Sequence, residues 1–208
     1  MGYILSHADQ VLVLTMEHLQ VTAVAVILAV VAGVPLGILV TRLRWLYPLV
    51  LGTAGVLYTI PSLALFAFLI PFLGLGVKPT ILALILYSQL SIVRNTAVGI
   101  NTVDRAIVEA ARGMGMTNGQ ILRMVQLPLA LPIVMAGVRT ITVMDIGVAT
   151  IAAYIGAGGL GVLIFRGIAS LYPEQIIAGA APVALLAVLA DYLLARMESA
   201  LRPKGVGR

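Results

Sequence analysis

Ionisable side chains inside apolar stretches are the first candidates for chemistry in this sequence. Arg139 and Asp145 lie in such a stretch, and a charge at the centre of a membrane-spanning helix costs at least about 2.5–3.5 kcal/mol on insertion scales. We expect Arg139 to extend toward the membrane interface. Asp145 is predicted either to belong to a gate or path for a cationic solute, or to form a hydrogen bond where two helices pack.

Aromatic rings offer a second kind of chemistry, because the face of a ring attracts a quaternary ammonium group. Tyr58, which lies close to Pro61, is the main candidate for such a path. The other candidate rings are Phe66, Phe68, Phe72 and Tyr87. The alternative is that these rings face lipid, since only 6% of the chain is aromatic.

A glycine-rich run, Gly156-Ala157-Gly158-Gly159-Leu160-Gly161, has the spacing of a dinucleotide-binding loop. Such a site requires a preceding parallel strand, whereas this run follows an apolar stretch. We therefore interpret its glycines (Gly156, Gly158, Gly159 and Gly161) as a tightly packed loop between helices. Gly33 and Gly37 are four residues apart, a spacing that predicts close helix packing, with a local kink at Pro35 as the alternative.

Patterns for catalysis and for metal binding are missing from the sequence. The chain has no G-x-x-x-x-G-K-[ST] run to hold a phosphate. It has no cysteine, and His7 and His18 are isolated, so we expect neither a metal site nor a disulfide. No paired catalytic groups are present. We therefore expect neither enzymatic activity nor a bound cofactor in this chain.

The composition is that of a membrane protein. Apolar residues make up 61% of the chain and charged residues 10%, and the mean hydropathy is +1.11. A soluble domain carries about 25% charged residues. The net charge of +5 could indicate nucleic acid binding, but the basic residues lie beside apolar stretches. They are therefore interpreted as determinants of orientation in the membrane.

Apolar stretches of about 20 residues predict membrane-spanning helices. Residues 46–76 would be about 46 Å long as one α-helix, too long for a straight crossing. Pro61 and Pro71 are expected to break this stretch into one kinked span, with two half-spans as the alternative. Residues 156–171 are expected to form a loop or a re-entrant helix. The predicted fold is an all-α membrane bundle, a single domain over residues 1–208, whose five or so spans are 21–41, 48–73, 80–94, 128–151 and 176–195.

Basic residues predict the orientation of these spans. If the polar loop 95–126 is cytoplasmic, only Lys78 and Arg166 lie in outer loops. This asymmetry predicts an outer N-terminus and a cytoplasmic C-terminus. The basic residues then on the cytoplasmic side are Arg42, Arg44, Arg94, Arg105, Arg112, Arg123, Arg196, Arg202, Lys204 and Arg208.

The polar loop contains a short predicted helix near residues 104–116. Asp104 is a suitable N-cap, and glycines at 113, 115 and 119 are expected to end the helix. One face is apolar, formed by Ile107, Ala110, Ala111 and Met114, and the other is formed by Arg105, Glu109 and Arg112. Glu109 is expected to be within reach of both arginines. About three turns of helix are marginal in water, so we expect the helix to dock on another surface.

The spacing of Glu109-Ala110-Ala111, Gly115 and Leu127-Pro128 resembles the EAA loop of binding-protein-dependent ABC importer permeases. Val125 takes the place where isoleucine is usual in that pattern. The resemblance implies that the loop forms a coupling helix that docks on a separate ATP-binding subunit, which would hold ATP and magnesium. The coupling residues it implies are Glu109, Ala110, Ala111, Arg112, Gly113, Gly115, Leu127 and Pro128.

Further segments resemble the short permeases of osmoprotectant importers. These segments are Pro35–Gly37, Tyr58–Ser62, Arg94–Thr96 and Ile155–Gly161. The resemblance implies transport of a solute such as glycine betaine, carnitine or choline by alternating access. Permeases for methionine and other amino acids share the same core, which leaves an amino-acid substrate as the alternative. An ATP-independent osmotic channel is a further alternative.

The same resemblance implies the surroundings of the protein. It implies a multi-pass permease in the bacterial plasma (inner) membrane, in contact with lipid and not with nucleic acid. The implied partners are an ATP-binding cassette subunit, an extracytoplasmic solute-binding protein or domain, and a second permease copy or a related permease. The glycine loop at residues 156–161 is expected near the pore mouth or against the solute-binding protein.

Overall fold

The described part of the computed structural model, residues 2–201, consists of helices and their connections, with no β-strand in that range. Helices satisfy their own backbone hydrogen bonds, which a chain in hydrocarbon requires. The predicted all-α membrane fold is confirmed. In chain order the elements are α1 (Gly2–Ser6), α2 (Ala8–Arg42), α3 (Leu46–Thr59), α4 (Ser62–Leu73), α5 (Val77–Asn101), α6 (Arg105–Gly113), α7 (Asn118–Gln120), the π-segment (Ile121–Gln126), α8 (Leu127–Ala152), a 3-10 turn (Ala153–Ile155), α9 (Gly161–Ala169) and α10 (Pro173–Ala200).

Four of these helical stretches are individually long and apolar enough to cross a membrane, and the bent pair α3–α4 makes a fifth candidate. The four are α2, α5, α10 and the continuous helix Asn118–Ile155 that contains α8. The expected number of about five spans agrees with this set.

Contacts between the long helices define their directions. Val21 of α2 clusters with Leu84 of α5, and Val40 clusters with Val93, so α2 and α5 run parallel. The His18 ring hydrogen-bonds the Ile146 carbonyl of α8 at 3.0 Å. Ala29, further along α2, packs with Ile141, so α8 runs antiparallel to α2.

The last helix, α10, is antiparallel to α8. Its Ala178 packs with Leu160, just beyond the end of α8, and its Asp191 meets Arg139 in the middle of α8. α2 therefore begins at the end of the bundle that contains residues 156–161, which we call the glycine-loop end. α10 finishes at the opposite end, which contains α6 and which we call the α6 end.

Close packing between α2 and α5 depends on the glycines spaced four apart. A Cβ on Gly33 would lie 2.7 Å from Ile92 Cγ2, and a Cβ on Gly37 would lie 2.5 Å from Thr96 Cβ. Such distances are far inside van der Waals contact, so any side chain there would force the helices apart. The predicted close packing at Gly33 and Gly37 is confirmed.

The segment predicted as one kinked span is bent by 101° between α3 and α4. The bend lies at Ile60 and Pro61, because Ile60 is extended with φ −68° and ψ 128°, as the residue before a proline prefers. Pro71 lies inside α4 and does not break it. The prediction that both prolines break the stretch was therefore wrong for Pro71.

The bent pair nevertheless connects the two ends of the bundle. Leu46 and Tyr47 at the start of α3 pack near Val40 at the α6 end. After α4, the Gly76 N–H donates to the Ile155 carbonyl at 2.9 Å, at the glycine-loop end. Because α3 and α4 return the chain to the glycine-loop end, α5 can run parallel to α2.

Two helices extend beyond their predicted spans. α2 already begins at Ala8, well before residue 21, because Glu17 and His18 have partners within the protein. α5 continues to Asn101, beyond residue 94, with Thr96 and Ala97 fully buried. The irregular part of the polar loop thus begins at Thr102 instead of residue 95.

Two further predictions concern the loop after α8 and the C-terminal tail. Residues 156–160 form the loop itself, and α9 follows as a nine-residue helix, so the predicted loop-or-helix region contains both. Arg202, Lys204 and Arg208, which were assigned to the cytoplasmic side, lie outside the described residues.

Candidate functional site

The short polar-loop helix forms as α6. The Asp104 carboxylate accepts a hydrogen bond from the Ala106 N–H at 2.9 Å, which caps the first turn. The chain leaves α6 through Gly115, whose φ of +82° lies in the left-handed region that favours glycine. Gly113 and Gly119 have no positive φ, so of the three predicted helix-ending glycines only Gly115 makes the turn.

One residue of the apolar face of α6 is buried against the rest of the chain, and the others are exposed. Ala111 is 2% exposed and is the buried residue of α6. Ile107 and Met114 are exposed, Met114 to 76%, and Ala110 is exposed with them. Ala111 was predicted to share their docking face. It packs against its own chain instead, because α6 lies on the π-segment.

The polar face of α6 borders a cleft of about 690 Å³ at the α6 end. Arg105, Glu109 and Arg112 line it together with Arg44 and Tyr47. Within residues 2–201, Glu109 forms no ion pair with either neighbouring arginine. The expected contact is therefore not made, and three arginines and one glutamate leave the cleft with an excess of positive charge.

The short helix α7 and the π-segment connect α6 to α8. Thr117 and Gln120 form a reciprocal capping box, in which the Gln120 side chain accepts from the Thr117 N–H at 2.8 Å. The Arg42 side chain donates to the Asn118 carbonyl at 3.3 Å. The π-segment follows, and the Leu127-Pro128 pair of the sequence motif begins α8.

Tyr58 and Pro61 both lie at the elbow between α3 and α4. Tyr58 is 49% exposed, and its ring meets the Tyr87 ring edge-on with centroids 6.3 Å apart. The Tyr87 hydroxyl donates to the Ile60 carbonyl at 2.7 Å. Of the other candidate rings, Phe66 and Tyr87 are buried, whereas Phe68 and Phe72 are exposed on the surface of the chain.

Asp145 is enclosed between α5 and α8. It is 0% exposed, and its Oδ2 accepts a hydrogen bond from the Ser88 hydroxyl at 3.0 Å. Its Oδ1 is buried and has no hydrogen-bond partner among the described residues. In this conformation the carboxyl group therefore connects two helices inside the chain.

Arg139 is held by a partner that the sequence reasoning missed. Its Nε and Nη2 donate to the two carboxylate oxygens of Asp191 at 2.5 and 2.8 Å, and its Nη1 lies 3.6 Å from Glu198 Oε2. A bidentate pair of this kind fixes both position and orientation. The extension of Arg139 toward the interface stays a prediction, while its partner Asp191 was not identified from the sequence. Asp191 interrupts an otherwise apolar stretch, and that signal could have revealed it.

The glycine loop is packed against the start of α2. The Gly159 N–H donates to the Glu17 carboxylate at 2.9 Å, and Gly158 and Gly159 have φ near +77° and +76°. A Cβ on Gly158 would lie 2.5 Å from Glu17 Oε2. A 3-10 turn, not a strand, precedes this loop. The tight loop is confirmed, and Glu17 is a contributor that the sequence reasoning did not identify.

Comparisons with known proteins agree with this arrangement. Residues 33–203 match the family described as binding-protein-dependent transport system inner membrane component. The chain is 48% identical to the osmoprotectant import permease protein OsmW of Salmonella typhimurium, over 98% of this chain and 97% of that protein. It is 45% identical to the glycine betaine/carnitine/choline transport system permease protein OpuCB of Bacillus subtilis, over 99% and 95%.

Solved structures resemble the fold. An inward-facing structure of the MetNI methionine ABC transporter contains a chain that superposes with a TM-score of 0.83 at 26% identity, covering 93% of this chain and 97% of that one. An amino-acid ABC transporter crystallised with histidines matches with a TM-score of 0.77 at 22% identity over 95% and 96%, which supports the fold alone.

Transporters of this family combine such a permease with an ATP-binding subunit and a substrate-binding protein. The matched segment extends from the middle of α2 almost to the C-terminus and includes the polar loop that contains α6. The chain therefore belongs to the binding-protein-dependent inner membrane components, and it is a permease subunit of an ABC importer, not an enzyme, with ATP hydrolysis on a separate subunit.

Proposed function

We propose that this permease carries a compatible solute with a quaternary amine, such as glycine betaine, carnitine or choline, into the cytoplasm. The observation that supports the substrate class is the identity over nearly the full chain, 48% to a permease named for osmoprotectants and 45% to permeases named for glycine betaine, carnitine and choline. The methionine transporter chain has a similar fold but only 26% identity.

Uptake competition tests this proposal. The complete importer, with its ATP-binding subunit and binding protein, is reconstituted in vesicles, and ATP-driven uptake of radiolabelled glycine betaine is measured. Excess carnitine or choline should reduce this uptake and excess methionine should not. Methionine uptake that glycine betaine leaves unchanged would instead support the amino-acid alternative. Equal uptake without ATP would support the osmotic channel.

The coupling site proposed for this importer is the exposed surface of α6. Ile107, Ala110 and Met114 present small and apolar side chains outward, which suits a helix that rests in a groove of the ATP-binding subunit. The motif residues Glu109, Arg112 and Gly113 lie on the same short helix. Gly115 ends it, and Leu127-Pro128 attaches it to α8.

We propose that two permease chains, identical or related, form the translocation path at their interface. One chain leaves large apolar surfaces exposed, for example Phe72 and Val188, which lipid and a second permease would cover. Tyr58 and Pro61 border the path at the elbow. Asp145 is assigned to the gate, since it ties α5 to α8 in this conformation.

The glycine-loop end is assigned to the outer face of the bacterial inner membrane, where the solute-binding protein delivers its solute. Gly156, Gly158, Gly159 and Gly161 shape the loop on that face. The α6 end then lies in the cytoplasm, and the N-terminus is outside. The distribution of basic residues supports this orientation, because Arg42, Arg44, Arg94, Arg105, Arg112 and Arg123 belong to the α6 end.

A further inference from the structure

The helix that leads into α8 changes its hydrogen-bond register on the way. α7, the π-segment and α8 belong to one continuous helix from Asn118 to Ile155. At the end of the π-segment the Leu127 N–H donates to the carbonyl of Leu122, whereas an α-helix would pair it with Arg123. A wider turn thus separates the chain that carries α6 from the body of α8.

Pro128, immediately after the π-segment, provides a reason for the wider turn. In an α-helix, the proline ring collides with the carbonyl four residues earlier, which for Pro128 belongs to Met124. A π-turn carries that carbonyl away from the ring. Pro132 lies inside α8 with no π-turn before it, so a proline alone does not enforce the wider turn.

The contact with α6 provides the second reason. Ile121 is the buried residue of the π-segment, Ala111 is the buried residue of α6, and the two elements pack together. The register of the helix at Ile121 therefore determines which side of it faces α6. Pro128 favours the wide turn, and the contact with α6 requires the rotation that this turn produces.

The size of the effect follows from helix geometry. A π-turn holds about one more residue than an α-turn, and one residue of α-helix corresponds to about 100° of rotation and ~1.5 Å of rise. Removing the extra residue would therefore rotate Ile121, together with the α6 helix that packs on the π-segment, by about 100° relative to the body of α8.

We infer that the π-segment, maintained by Pro128, is the positioning device that sets the rotation of the coupling helix relative to α8. The inference rests on the proposed docking of α6 on the ATP-binding subunit. It assigns to Pro128 a role in conveying motion between that subunit and the membrane helices, in addition to starting α8.

The test compares Pro128→Ala with Pro132→Ala, a matched loss of one proline from the same helix. Because the chain has no cysteine, spin labels can be placed at Met114→Cys on α6 and Leu131→Cys on α8. Their separation is measured by pulsed EPR in the full-length permease. Transport per ATP hydrolysed is then measured in the complete importer with the same variants lacking the introduced cysteines, because Met114 belongs to the proposed docking surface. Deletion of Met124, which keeps Pro128 but removes one residue of the turn, serves as the second variant.

We expect the label distance to shift in Pro128→Ala and in the Met124 deletion, and not in Pro132→Ala. Transport per ATP should fall by about tenfold in the first two, within the range typical of coupling between sites, while ATP hydrolysis continues. An unchanged distance in Pro128→Ala overturns the inference, whatever the transport result. A shifted distance with unchanged transport per ATP overturns the docking role of α6 on which the inference rests.

Discussion

At the level of single side chains, the two ionisable groups of α8 are accommodated in different ways. Arg139 has a full counter-charge in Asp191, with Glu198 nearby. Asp145 has only the Ser88 hydroxyl for one of its oxygens. Burying a carboxyl group with one oxygen that has no hydrogen-bond partner lowers the stability of the folded protein. That loss of stability supports a functional role for Asp145.

Replacing Asp145 with asparagine tests this role. The asparagine side chain would keep the shape and the acceptor oxygen for Ser88 but would lose the ability to ionise. If the carboxyl group acts in the gate, Asp145→Asn should lower solute uptake several-fold while the permease still assembles with its ATP-binding subunit. Ser88→Ala, which removes the donor and leaves the carboxyl group, is the control. Normal uptake by Asp145→Asn would limit Asp145 to helix packing.

Residue roles could be predicted from sequence where local chemistry decides them. The Asp104 cap and the turn at Gly115 follow from short-range rules and are present. Ala111, Glu17 and Asp191 were different, because their roles depend on partners far away in the chain. No periodicity within α6 tells which of its alanines lies on the π-segment.

At the level of elements, pairs of helices are joined by a small number of specific contacts. Arg139, in the middle of α8, and Asp191, in the second half of α10, join these two helices. Ala178 and Gly179 are the buried residues of α10, and Val183 and Leu186 pack against the same apolar cluster. The ion pair adds a directional contact to this apolar packing.

A double-mutant cycle measures that contribution. Arg139→Gln and Asp191→Asn should each lower the thermal unfolding midpoint of the detergent-solubilised permease, since each removes the bidentate pair between α8 and α10. The double variant should be less destabilised than the sum of the two single variants, because both substitutions remove the same contact. Strictly additive effects would show that the two side chains do not act as a pair.

Element boundaries show where sequence reasoning stops. The Pro61 break could be predicted, because the residue before a proline avoids the helical region. The continuation of α5 through Asn95 to Asn101 could not be predicted, because the polar residues there suggested a loop. Asn95 instead packs closely against Gly137 of α8, where a Cβ on the glycine would lie 2.8 Å from Asn95 Cβ. Such packing depends on the neighbouring helix, which the local sequence does not reveal.

At the level of the whole molecule, the directions of the helices place α1 and the end of α10 at opposite ends of the bundle. Lys78 and Arg166 belong to the glycine-loop end, and the other described basic residues outside the helix interiors belong to the α6 end. Charge asymmetry of this kind orients multi-pass proteins with the basic side in the cytoplasm.

Thiol accessibility in intact cells tests that orientation. The chain has no cysteine, so a single introduced thiol reports one position. Leu171→Cys, at a residue 88% exposed near the glycine-loop end, should react with a membrane-impermeant maleimide added outside. In the permease expressed without its ATP-binding subunit, Met114→Cys at the end of α6 should react only after the cells are opened. The reverse pattern would invert the proposed topology.

The elbow between α3 and α4 also has a consequence for how the protein is made. α3 has 14 residues and α4 has 12, or about 21 and 18 Å of helix, and neither spans the ~30 Å hydrocarbon core alone. Until α5 is synthesised, the Ile60 carbonyl lacks the Tyr87 hydroxyl, and a bare carbonyl in lipid costs several kcal/mol. We therefore expect this span to settle in the bilayer only after the ribosome has delivered the helix that follows it.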